Sequence, residues 1–197
     1  MREKILVIAC GAIARELVDI SKLNQWDHLD FQCLPPELHN RPDQIPVAIR
    51  AKIDSQAGLY KKIFVAYADC GTGGALDEVL HDYAIERIPG AHCYEFFTGS
   101  GQFEGLARAE PGSFYLTDFL TRHFDRLIIK GLGIDRHPQL KIAYFGNYKR
   151  LVYLAQSHND ELQALARQHA ATLGLDYHFH HCSLTPLSRA LEPALAP

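Results

Sequence analysis

Three cysteines each stand where an apolar run ends and a turn begins. Cys10 closes the run in Ile-Leu-Val-Ile-Ala-Cys-Gly-Ala, Cys70 sits in Ile-Phe-Val-Ala-Tyr-Ala-Asp-Cys-Gly-Thr-Gly-Gly, and Cys93 lies in Arg-Ile-Pro-Gly-Ala-His-Cys-Tyr-Glu-Phe. Thiolates are soft ligands. Three of them, with a fourth position left open, suit a Zn²⁺ that activates a substrate or an open-site [4Fe–4S] cluster. A thiol just ahead of a helix amino terminus is favoured as thiolate by the helix dipole and nearby N–H groups, and both Cys10 and Cys70 are predicted to have that setting. The spacing alone identifies no metal: the gaps are 60 residues (70 minus 10) and 23 residues (93 minus 70), and no Cys-x-x-Cys is present. A shared site therefore requires a fold that brings the three together; without it they are small core residues.

Several neighbours could assist such a site. Asp69 and Glu95 flank Cys70 and Cys93, and His92 adjoins Cys93, so these three are candidates for general acid, general base or a further ligand. His39, in Leu-His-Asn-Arg-Pro, is a second histidine candidate. Gly71, Thr72, Gly73 and Gly74 lie between a predicted strand and helix, where their N–H groups can cradle an anionic cofactor. The stretch lacks the lysine of a P-loop and the Gly-x-Gly-x-x-Gly spacing of a dinucleotide fold, so a tight turn that lets backbone approach whatever Cys70 holds is the simpler expectation. His178, His180 and Cys182 alternate along a predicted strand and would share one face; a solvated edge strand accounts for them better than a metal trap.

The elements that must position these residues alternate between strand and helix. Ile5 to Ala9 is a continuous aliphatic run, as in a strand buried on both faces, and apolar spacing predicts a helix over Ala12 to Lys22. Further strands are predicted at Leu29 to Leu34, Lys62 to Tyr67, Glu86 to Ile88, Arg150 to Ala155 and Tyr177 to His181. Helices are expected at about Pro42 to Ser55, Ala75 to Tyr83, Thr117 to Lys130, Pro138 to Tyr148 and Asp160 to Leu173, with a short one at the end. His92 to Pro111 reads as a functional loop carrying one short helix. The expected fold is an α/β, Rossmann-like three-layer sandwich around a mostly parallel sheet, over residues 1–197 as one domain or two tightly packed lobes. Such a sheet places ligands at the carboxyl ends of its strands, which is where the three cysteines fall.

Composition narrows the partners. The 197 residues carry a net charge of -3 with scattered Lys and Arg, so nothing favours nucleic acid. A small-molecule substrate or a protein partner is the better expectation. Five cysteines are too few for a disulfide scaffold and fit reduced thiols in a cytoplasmic protein. The apolar run after Met1-Arg2-Glu3-Lys4 is too short for a signal peptide, and no stretch approaches a membrane span, so no membrane partner is expected. The oligomeric state is not legible.

Six motifs in order give the chain a family resemblance: Ala-Cys-Gly-Ala, Leu-His-Asn-Arg-Pro, Asp-Cys-Gly-Thr-Gly-Gly, Arg-Ile-Pro-Gly-Ala-His-Cys-Tyr-Glu-Phe, Glu-Pro-Gly-Ser-Phe-Tyr-Leu-Thr-Asp-Phe-Leu and Tyr-Phe-Gly-Asn-Tyr-Lys-Arg-Leu-Val-Tyr-Leu-Ala-Gln. Over about Ile5 to Ala155 it resembles the uncharacterised DUF1638 family. The resemblance implies an association with corrinoid-dependent methyl-transfer systems and puts the family cysteines on Cys10, Cys70 and Cys93, leaving Cys33 and the His178 to Cys182 stretch outside the pattern. On that footing the expected function is a metal-thiolate protein of one-carbon or methyl-transfer metabolism, with zinc or a [4Fe–4S] cluster as cofactor. The alternative is a non-catalytic accessory protein that binds a corrinoid protein.

Overall fold

The computed structural model describes residues 2–196. Strand β1 (Arg2–Cys10) leads through a single 3₁₀ turn at Gly11–Ile13 into helix α1 (Ala14–Leu23), and β2 (Leu29–Leu34) follows. After the proline-stiffened stretch come α2 (Ile45–Ser55), β3 (Tyr60–Ala66), α3 (Ala75–Asp82) and the two-residue β4 (Glu86–Arg87). The remaining elements are α4 (Glu95–Thr98), α5 (Ser100–Ala109), β5 (Ser113–Thr117), α6 (Asp118–Arg122), α7 (Leu140–Phe145), β6 (Arg150–Ala155), α8 (Asp160–Leu173), β7 (Asp176–His181) and α9 (Thr185–Leu195). Among the described residues no helix is long and apolar enough to cross a membrane.

The strands form two sheets, and the chain divides with them into two compact units. The first unit runs as far as Cys93 and takes in the chain again from Leu184; the second is Tyr94–Ser183. In the first, the strand order is β2-β1-β3-β4 and every pairing is parallel. Leu6, Val7, Ile8 and Ala9 are each 0% exposed, so both faces of β1 are covered, as its unbroken aliphatic run requires. Helix α9 returns to this unit with Leu187, Leu191 and Leu195 buried, and its last turn accepts hydrogen bonds from Lys62 Nζ at Ala194 (3.0 Å) and meets the His28 ring at Leu195 (2.7 Å).

The second unit holds the parallel sheet β5-β6-β7. Its core gathers Leu116, Leu120, Leu127, Leu151, Tyr153, Leu162 and Ala166. Helix α8 begins where Asn159 Oδ1 accepts from the Leu162 N–H (2.9 Å) and ends at Gly174, whose φ of 77° is the left-handed turn glycine permits. Here the structure departs from expectation in three places. Ser113–Thr117, masked in the sequence by Glu110-Pro-Gly, is a strand. The single helix expected over Thr117 to Lys130 is instead short α6, a break at His123 and a π-helical stretch at Asp125–Lys130. The loop expected over His92 to Pro111 contains two helices, α4 and α5.

Candidate functional site

In the first sheet the chain passes from β1 outward to β2 and then back across to β3, which pairs with the other side of β1. The crevice beyond the carboxyl ends of β1 and β3 is thus a topological switch point, where open α/β sheets bind ligands. Cys10 is the last residue of β1 and Cys70 lies on the loop that leaves β3. The loop leaving β4 is tied alongside by main-chain bonds, Asp69 N–H to Gly90 O (3.0 Å) and Cys70 N–H to Ala91 O (2.9 Å). That zipping carries Cys93 to Cys70, Sγ to Sγ at 2.8 Å, with both thiols free of a disulfide. Cys10 lies within electrostatic reach of both.

The three thiols are unlike one another. Cys10 is 8% exposed, and burial pushes its thiol up to about 11 although its sulfur accepts from the Ala12 N–H (3.4 Å). The thiolate expected there from the helix terminus is therefore overridden: a 3₁₀ turn supplies one N–H, and loss of water outweighs it. The hydrogen bond shared by Cys93 and Cys70 lowers Cys70 and, together with burial, holds Cys93 well above the ordinary thiol range. Cys70 is the member that ionises first, with Cys93 donating to it. Helix α3 starts only at Ala75, so that shift owes its largest part to Cys93 rather than to a helix end.

Tyr67 joins them. It follows β3, is 2% exposed, and its hydroxyl makes no hydrogen bond of normal geometry among the described residues. It faces the Cys10 thiol and feels Cys93 and Cys70, and burial first, then Cys10, drives its phenol upward. A tyrosine inside an apolar strand reads as core, so the sequence gives no sign that its hydroxyl is aimed at the thiols.

The other candidates are placed differently. Asp69 is taken up by the glycine turn: its carboxylate accepts from Thr72 Oγ1 (2.7 Å), the Gly74 N–H (2.9 Å) and the Gly73 N–H (3.1 Å). The N–H groups expected to cradle an anionic cofactor thus hold the chain's own carboxylate. Those bonds, the Thr72 one foremost, hold the Asp69 carboxyl down at about 2. Because the folded value lies below the ordinary one near 3.9, the stabilisation is present above about pH 4 and is lost as pH falls toward 2. Asp69→Asn is expected to be less stable than wild type by about 1 kcal/mol at neutral pH. Urea unfolding should show that gap closing near pH 2, and an equal gap at both pH values would count against it.

Gly71 lies against the Pro42 ring, with 3.5 Å from its would-be Cβ to Pro42 Cβ, which brings the Leu-His-Asn-Arg-Pro loop to the thiol edge. The imidazole of His39 is lowered by the protein atoms crowding it and by its neighbour His92. Glu95 opens α4 in the second unit. His178 and His180 lie on β7, an edge strand, and Cys182 is buried just past its end, its N–H bonded to Ala155 O (2.8 Å). Among the described residues no group of three or more His, Cys, Asp or Glu is arranged to hold a metal ion.

Residues 33–191 match the family described as "Protein of unknown function (DUF1638)". The matched stretch contains Cys70 and Cys93, begins after Cys10, and runs on past Ala155 through the His178 to Cys182 stretch. No curated protein matches the sequence.

Proposed function

The chain belongs to the DUF1638 family, and from that premise we propose that it is a soft-metal thiolate protein of one-carbon metabolism, with Cys10, Cys70 and Cys93 as ligands and methyl transfer as its reaction. What carries the reading is the Cys70–Cys93 thiol pair at the switch point of a parallel sheet, with Cys10 and the buried Tyr67 hydroxyl within electrostatic reach of it. The donor set fits a soft ion. All three ligands are sulfur, and the carboxylate next to Cys70 in the chain, Asp69, is committed to its own turn.

In that role zinc is a Lewis acid that lowers the pKa of an acceptor thiol and so prepares it to receive a methyl group. The chain's own residues do the rest. The main-chain bonds between the loops fix Cys70 beside Cys93, the buried end of β1 presents Cys10, and the Tyr67 hydroxyl donates to a sulfur once that sulfur is ionised. The methyl donor is proposed to be a corrinoid protein or a small molecule.

The test is the metal content and visible spectrum of protein purified without oxygen or chelator. About one zinc per chain and no colour is the expected result. Roughly four irons with broad visible absorption would replace zinc with a three-cysteine cluster, and metal-free protein that still folds would move the accessory-protein role to the front. Tyr67→Phe separates the hydroxyl's two effects. Metal-free Tyr67→Phe should be as stable as wild type or about 1 kcal/mol more so, since an unpaired buried hydroxyl is removed, while metal retention falls about tenfold or more. A loss of stability without a change in metal retention would remove Tyr67 from the site.

A further inference from the structure

We propose that Cys70 and Cys93 form a redox couple that cycles between dithiol and disulfide, with a low-molecular-weight disulfide as its oxidant. The inference uses two of the thiols assigned above to the metal but does not depend on the metal being bound. Three observations carry it. The sulfurs are 2.8 Å apart, so bond formation near 2.0 Å asks for less than an ångström of movement. Their loops are fastened to each other by main-chain hydrogen bonds at Asp69 and Cys70, which fixes the pair through the backbone rather than through rotamers alone. Cys70 also holds a φ of 52°, the left-handed region that a side chain disfavours and glycine tolerates. Glycines follow it at Gly71, Gly73 and Gly74, all with positive φ, yet this first left-handed position of the turn carries a thiol.

The steps balance. Cys70 Sγ, as thiolate, attacks one sulfur of the incoming disulfide; that S–S bond breaks, a mixed disulfide forms on Cys70, and the first thiolate leaves and takes a proton. Cys93 Sγ gives up its proton and attacks the Cys70 sulfur; the mixed bond breaks, the Cys70–Cys93 bond forms, and the second thiolate leaves. The protein gives up two protons and two electrons, which the oxidant takes up to become two thiols. Cys10 is buried and takes no part, and Cys33 is exposed on β2.

The experiment is a redox titration of the full chain, freed of metal by chelation, in mixtures of reduced and oxidised glutathione. Free thiols are counted after denaturation and the linked peptides are mapped. The count is expected to fall from five to three, with residues 70 and 93 joined, and to return to five with reductant. Cys10→Ser should still lose two thiols, and Cys70→Ser and Cys93→Ser should form no internal link. Glutathione adducts without an internal bond, five thiols surviving in fully oxidising buffer, or a link between any other pair would overturn the couple. Zinc uptake by the same reduced protein keeps the two readings apart. A link with no zinc uptake sinks the metal and supports the couple; zinc uptake with no link does the reverse.

Discussion

Cys70→Ser and Cys93→Ser are each expected to bind metal about a hundredfold more weakly than wild type. Structural zinc sites gain roughly 10–16 kcal/mol from four ligands, so one thiolate is worth about 3 kcal/mol. Cys10→Ser should lose as much. It is the most informative of the three, because Ser Oγ can still accept from the Ala12 N–H that Cys10 Sγ now caps, leaving the end of β1 intact. Cys33→Ser and Cys182→Ser are the controls: the first is exposed on β2, and the second is buried in the other unit. Competition with a chromophoric chelator measures the affinities, and circular dichroism confirms folding. Equal loss from all five variants would show that the protein holds metal through thiols in general rather than at the switch point. Full retention by Cys10→Ser would reduce the site to the pair.

Asp118→Ala is expected to destabilise the second unit by about 3 kcal/mol. The Asp118 side chain is 3% exposed and stands at the carboxyl edge of β5-β6-β7, where it accepts from Tyr153 Oη (2.7 Å), the Gln156 N–H (3.0 Å) and the Ser157 hydroxyl. Its own N–H donates to Gln156 Oε1 (2.8 Å), so the loop leaving β6 is bolted to the start of α6. Alanine strands a tyrosine hydroxyl and an amide, each worth about 1–3 kcal/mol when left unpaired. Asp118→Asn keeps the shape and an oxygen for Tyr153 and Gln156, and should cost about 1 kcal/mol. Urea midpoints compare the two. If alanine and asparagine cost the same, the hydrogen bonds are not what holds this edge.

Much of this was readable in residue types. The aliphatic runs of β1, β3 and β6 announced fully buried parallel strands, and because parallel strands end at one edge, Cys10 and Cys70 lie where the runs of β1 and β3 stop, whereas Cys93 reaches Cys70 only through the loop that leaves the two-residue β4. The rest depended on tertiary facts. Nothing local separates Asp69 as a general base from Asp69 as the filling of its own glycine turn, since both readings need the same residues at the same spacing. Cys10 looked like a thiolate from its neighbours in sequence, but its ionisation is governed by burial, which only the packed sheet determines. Strand β5 was hidden because it is five residues long behind a proline-glycine turn, and the division into two sheets has no periodic signature at all.

The return of α9 to the first unit bears on how the protein is made. The ribosome must complete the whole of the second unit before the segment that buries Leu187, Leu191 and Leu195 in the first unit becomes available. Until then the first unit lacks the contacts that Ala194 and Leu195 make with Lys62 and His28. During translation the earlier-made unit therefore completes its core last.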